Sequence, residues 1–286
     1  MANRTAPDSM SKATVSDEIK RFLRDGGDDH MFTAWPGQHF LECAQRADAD
    51  LRAALIAAVR ARTAGATFPE ALRNLDVVAF TREKVAPMVR GLFPGKEQAI
   101  VLDLLARSVV FLTPESIESV LMNETWLKTA WDIANLYLAS CGAELLSPEA
   151  PRIVGISIET TCYVTKEYFD EDDPFADFVV HEAAHIFHNC KRERVGLPGT
   201  RRREWLLEID FAKRETFAYA CELYSRILKL GAGKARRVAP LEEQHQWPMP
   251  PDASVDPDEY MDILRQAVSA RNGWKKILDR CGRRKT

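Results

Sequence analysis

Two histidines stand four residues apart in Val179–Cys190, "VVHEAAHIFHNC", with a glutamate directly after the first. On a helix, residues i and i+4 lie only about 40° apart around the axis. His181 and His185 would therefore project side by side, one turn apart. Two imidazoles need that arrangement to share one tetrahedral zinc ion. Glu182 lies about 100° round from His181, too far to join them as a ligand. It is close enough to reach a water held by the metal, which is the position of a general base. Val179, Val180, Ala183, Ile186, Phe187 and Cys190 fall on the opposite side and form an apolar face. His188 and Asn189 share the polar side. The same spacing also suits an ordinary surface helix whose polar side meets water.

The elements that would hold this helix can be read on either side of it. "RIVGISI" and "TTCYVT" are rich in β-branched residues, have strand lengths and meet at "ET". They predict a β-hairpin immediately before the motif. In "DEDDP", Asp173 would cap a helix with Pro174 at its first position, so the helix is expected over about 174–190.

"HEAAH" behind a hairpin resembles the active-site helix of the zincin (HExxH) metallopeptidases. The resemblance implies that the histidines bind zinc and that Glu182 activates water for peptide hydrolysis. It also implies a third ligand further along the chain, which in the gluzincin branch is a glutamate on a second helix. The metzincin pattern HExxHxxGxxH is excluded by spacing. His188 stands where that pattern requires glycine, and Lys191 stands where it requires the last histidine.

A helix expected over about 203–230 offers the candidates. Glu208, Glu215 and Glu222 are seven residues apart and fall within about 20° of one direction. Ala212, Ala218 and Tyr219 share their face. Glu215 sits mid-helix, and the flanking alanines would allow close approach to the histidine helix, so it is the expected third ligand. "ETFA" from Glu215 also resembles the ExxA element of the ImmA/IrrE-type peptidases, although their asparagine and later phenylalanine–alanine pair are missing here. Glu208 and Glu222 stay open, either as the ligand or as an acceptor for the free N–H of a ligand histidine. The stripe could also be a plain ion-pair face. His188 lies nearly two turns from His181, so it cannot join both histidines on one ion. It is a candidate to hold substrate or oxyanion, or else a surface histidine. Tyr219 could donate its hydroxyl to an oxyanion, or simply pack.

The rest of the chain sets the frame. It has 286 residues, 46% of them hydrophobic, and a net charge of −3. That is enough for a sizeable core, and it lacks the basic excess that nucleic acid would ask for. The N-terminus shows no apolar signal region, and no apolar run is long enough to span a bilayer. A soluble, cytoplasmic protein is expected, with no membrane association. Six scattered cysteines without a CxxC pair read as reduced thiols, mostly buried.

Helices are expected from Ser16 through "DEIKRFLR", in "DADLRAALIAAVRARTAG", along "GKEQAIVLDLLARSVVFL", from a Thr113–Pro114 start, and in "ETWLKTAWDIANLYLASC". A last helix opens at Asp256–Pro257 and breaks near "RNG". The fold expected is α+β and mostly helical, with a flexible tail at 1–13 and a helical portion at 14–148. A zincin-like core at 149–232 follows, then a connector and helices at 233–286. The basic run at 191–203 is either a solvated connector or a site for an acidic peptide or nucleic acid. Zinc-dependent peptide hydrolysis is the expected function. The competing readings are an inactive zinc-binding scaffold and a helical nucleic-acid-associated protein.

Overall fold

The computed structural model describes residues 13–150, 155–169, 176–230 and 249–283. All but the last residue of the tail expected at 1–13, the Asp173–Pro174 helix start and most of the connector lie outside the described residues. The fold is α+β and mostly helical, with one small sheet. The chain divides into two compact units, each built from two stretches: 1–67 with 113–152, and 68–112 with 153–286. Residues 68–112 thus belong with the histidine motif, where the sequence suggested one boundary near 148.

The first unit is helical: α1 (Val15–Asp25), α2 (Phe40–Arg62), α6 (Ile117–Asn123) and α7 (Leu127–Ser140). Thr14, rather than Ser16, caps α1. Its Oγ1 accepts from Asp17 N at 3.2 Å, and the Asp17 carboxylate accepts from Thr14 in return. Gly26 ends α1 at φ 72°, a conformation that suits glycine. Thr113 and Ser116 hydrogen-bond each other in a turn, so α6 begins only at Ile117. On α7, Ala130, Trp131, Ala134 and Leu138 are buried, while Leu127 and Cys141 are half-buried and Trp126 before it is exposed.

The second unit contains α3 (Glu70–Arg73), α4 (Val77–Leu92), α5 (Gly95–Ala106) and β1 (Val109–Phe111), then β2 (Gly155–Ile158) and β3 (Thr161–Val164). After these come α8 (Phe178–Asn189), α9 (Arg214–Leu230), α10 (Pro257–Ser269) and α11 (Gly273–Cys281). The helix expected through "SVVFL" stops at Ala106, and Val109–Phe111 becomes a strand. β1 runs parallel to β3, with Val109 opposite Cys162, and β2 pairs antiparallel on the other side of β3. The β-branched valines suit this half-buried position. Pairing with β3, together with the packing of α4 against α8 and α11, fastens 68–112 into this unit.

One apolar core joins these helices and strands. Phe187 of α8 lies between Phe93 and Phe217, at ring-centroid distances of 5.2 and 6.3 Å. Trp274 of α11 lies so close to α4 that a Cβ on Gly91 would come within 2.2 Å of it. Asp256 caps α10 with Pro257 at its first turn, and the chain breaks at 270–272 before α11, as read from sequence. All six cysteines are free, and Cys162, Cys190, Cys221 and Cys281 are buried. Among the described residues no helix is long and apolar enough to cross a membrane.

Candidate metal centre

Helix α8 starts at Phe178, with Asp177 in the cap position, rather than near 174. It packs against α4, α9, β2 and β3. Its apolar face is fully buried, as the spacing predicted. The opposite side is not a water-facing surface: His181, Glu182 and His188 are buried, and His185 is half-buried. Burying so many polar groups is costly unless each has a partner, so their partners carry the meaning.

His181, His185 and Glu215 converge. His181 Nε2 and His185 Nε2 are 3.2 Å apart, and Glu215 Oε2 is 3.7 Å from the first and 3.5 Å from the second. The point equidistant from these three atoms lies about 2.0 Å from each, the bond length of a transition-metal site with nitrogen and oxygen donors. The proton positions implied by the hydrogen-bond network fit the same role. His181 Nδ1 is 3.1 Å from the Glu222 carboxylate, which only accepts, so the proton sits on Nδ1 and the Nε2 lone pair faces inward. Asn189 Oδ1 accepts from His188 Nδ1 at 3.0 Å, which leaves His188 Nε2 to accept from His185 Nδ1 at 3.0 Å. His185 Nε2 therefore also presents a lone pair. Two facing lone pairs and a carboxylate oxygen repel one another unless a positive charge sits among them.

The electrostatics agree. Burial disfavours a charged His181, but Glu215 and Glu222 outweigh it and raise its pKa to about 10. Hydrogen bonding to His181 and His185 holds Glu215 well below the usual carboxylate range. Without a metal, a proton on His181 supplies the positive charge that this donor set favours.

Supporting residues extend outward. Glu222 accepts from His181 with one oxygen and from Asp177 N, at 2.6 Å, with the other. Of the two roles its place in the sequence left open, the geometry matches that of acceptor for the N–H of His181. Asp177 is itself buried and is held by Lys84 at 2.8 Å, Tyr168 Oη at 3.2 Å and Lys229 at 3.5 Å. Sequence reasoning passed over Asp177, Lys84 and Tyr168, whose contacts come from three separate stretches of chain.

Glu208 is elsewhere. The long helix begins at Arg214, not near 203, because the chain at 204–209 is held to other elements. Leu206 N donates to Cys190 O and Leu207 N to Phe187 O. The Glu208 carboxylate accepts from Glu204 N and Trp205 N. The three-glutamate stripe thus reduces to Glu215 and Glu222.

His188 does not face the open side of the triad. Both its ring nitrogens are engaged by His185 and Asn189, and burial together with neighbouring His185 lowers its pKa to about 3. It orients His185 and has no nitrogen free for a substrate or oxyanion. Tyr219 packs edge-on against His181, with ring centroids 4.4 Å apart. Burial, and then Glu222 and Glu215, raise its pKa to about 12, so its hydroxyl stays a donor.

Glu182 turns toward the sheet. Its Oε2 is 2.5 Å from Ser157 Oγ of β2, a residue that sequence reasoning did not single out. The basic loop offers little free charge. Arg192 is buried against Glu97 at 2.9 Å, Arg203 joins the same carboxylate, Lys191 pairs with Glu204, and Arg194 with Glu159. Only Arg201 and Arg202 of the six remain as exposed cations with no ion pair to any described residue. Comparison with protein-family models, curated proteins and solved structures finds no match for this chain, so its chemistry rests on the geometry of His181, His185, Glu215 and Glu182.

Proposed function

We propose that this protein is a zinc-dependent metallopeptidase of the zincin type, with a gluzincin-like ligand set. The observation that carries the reading is the meeting of His181 Nε2, His185 Nε2 and Glu215 Oε2 around one point. Two imidazoles and one carboxylate suit zinc, and three protein ligands leave a position open for catalysis. When bound, zinc supplies Lewis acidity to a carbonyl and lowers the pKa of water from 15.7 toward about 7.

The chain's own residues carry the rest of the work. Glu182 takes a proton from the attacking water and delivers it to the departing amine nitrogen. Glu222 and His188 hold the two ligand imidazoles in the tautomer that points Nε2 inward. Tyr219 donates its hydroxyl to the carbonyl oxygen as that oxygen gains negative charge. Among the described residues β2 pairs with β3 on one side only, and its other edge is where an extended peptide would add as a strand. A peptide bound there would pass beside Glu182, which touches β2.

The test is metal content with peptidase activity, wild type against Glu182→Gln. One zinc per chain in both, with cleavage lost by about a hundredfold or more in the variant, supports the reading. Zinc in both with no activity that depends on Glu182 would assign the site to an inactive scaffold instead.

A further inference from the structure

Strand β2 holds Glu182 from two positions. Ser157 Oγ lies 2.5 Å from Glu182 Oε2 and 2.9 Å from the Glu182 carbonyl oxygen. A hydroxyl has one proton, and the carboxylate is both the nearer and the stronger acceptor. Gly155, two residues earlier on the same face of the strand, lies against the same side chain. A Cβ there would come within 2.8 Å of Glu182 Oε1 and 3.0 Å of its Cγ. The strand cannot drift from this register, because Ser157 stands opposite Cys162 and Gly155 opposite Val164 of β3. The buried Cys162 Sγ, 3.6 Å from Ser157 Oγ, closes the other side of the hydroxyl.

Building on the metallopeptidase reading, we infer that Ser157 and Gly155 are positioning residues that seat the Glu182 carboxylate. Ser157 holds Oε2 by donating to it, which leaves Oε1 to accept the proton. Gly155 provides the room that lets the carboxylate lie against the strand. A glutamate side chain otherwise rotates about three bonds, and fixing it beforehand lowers the ordering needed at reaction. The seat lies on the strand proposed to bind the peptide. Base and scissile bond are thereby referred to one rigid element.

The experiment uses the full chain loaded with zinc. A double-mutant cycle of Ser157→Ala and Glu182→Ala on the unfolding equilibrium reads the contact itself, independently of activity. Coupling of about tenfold or more in the unfolding constant is expected, and additivity within about twofold overturns the seat. Kinetics on one cleaved member of a quenched-fluorescent peptide library then read its role. Ser157→Ala and Gly155→Ala should each lower kcat by about ten- to a hundredfold, with KM within about twofold and one zinc retained. Ser157→Thr, which keeps the hydroxyl, should recover most of the loss. Wild-type kcat in Ser157→Ala and Gly155→Ala, beside an inactive Glu182→Gln, overturns the positioning role and leaves the metallopeptidase reading standing. Full activity in Glu182→Gln, or no library member cleaved by the wild type, overturns the reading and this role with it. The cycle would still report the contact.

Discussion

Glu222 Oε2 lies 3.1 Å from Nδ1 of His181, on the far side of the ring from the nitrogen that meets His185 and Glu215. The same carboxylate accepts the backbone N–H of Asp177, the residue that leads into the histidine helix. One glutamate on α9 therefore holds both the start of α8 and the orientation of the His181 ring. Replacing Glu222 with alanine should weaken metal affinity by about ten- to a hundredfold without changing the saturating stoichiometry. Chelator competition measures this, and an unchanged affinity would count against the bond's role.

The assignment of the third ligand has a direct check. Glu215→Ala should lose stoichiometric metal, as should His181→Ala and His185→Ala, whereas Glu208→Ala should keep it. Metal analysis after dialysis decides the matter. Full occupancy in Glu215→Ala would move the ligand to another residue.

A metal that binds only the folded chain must stabilise it. At a free zinc concentration about a hundred times Kd, the unfolding free energy should rise by about 2.7 kcal/mol over the chelated protein. The increment should vanish in His181→Ala. An equal rise in that variant would place the binding elsewhere.

Arg192 and Glu97 are both buried, and their guanidinium–carboxylate contact is 2.9 Å. Among the described residues, Glu97→Ala would leave the Arg192 charge inside the protein with only the Pro198 and Leu206 carbonyls as hydrogen-bond partners. A loss of about 3–5 kcal/mol in urea unfolding is expected. A loss under about 1 kcal/mol would refute the view that this pair anchors the basic loop.

Phe187 stands behind the motif, fully buried between Phe93 and Phe217. Phe187→Ala should cost about 3–5 kcal/mol through lost burial and the cavity left behind. Chemical denaturation reads that cost. A near-neutral result would mean that α8 is anchored by something other than its apolar face.

What could be read in the sequence was local. The two-faced pattern of α8, the paired β2 and β3, and the Asp256–Pro257 start of α10 each depend on residues within a turn or a strand of one another. What could not be read was set by distant partners. Val109–Phe111 continues an apolar helical run, and only β3, some fifty residues away, makes it a strand. The stretch at 204–213 reads as helix because its residues are good helix formers. Hydrogen bonds from Leu206 and Leu207 to the end of α8 divert it. That diversion took Glu208 out of the glutamate stripe.

The sequence by itself determined that two imidazoles and a glutamate would share one side of a helix, because helical spacing is a property of neighbours along the chain. It also brought Glu215 forward as the partner and left Glu208 and Glu222 beside it. Only the tertiary structure decided among the three, since the choice turns on which carboxylate reaches Nε2 and which reaches Nδ1, a matter of how α9 packs on α8. It alone brought Asp177, Lys84, Ser157 and Gly155 to the site. Their chemistry is ordinary in isolation and acquires meaning only from what folding sets beside it.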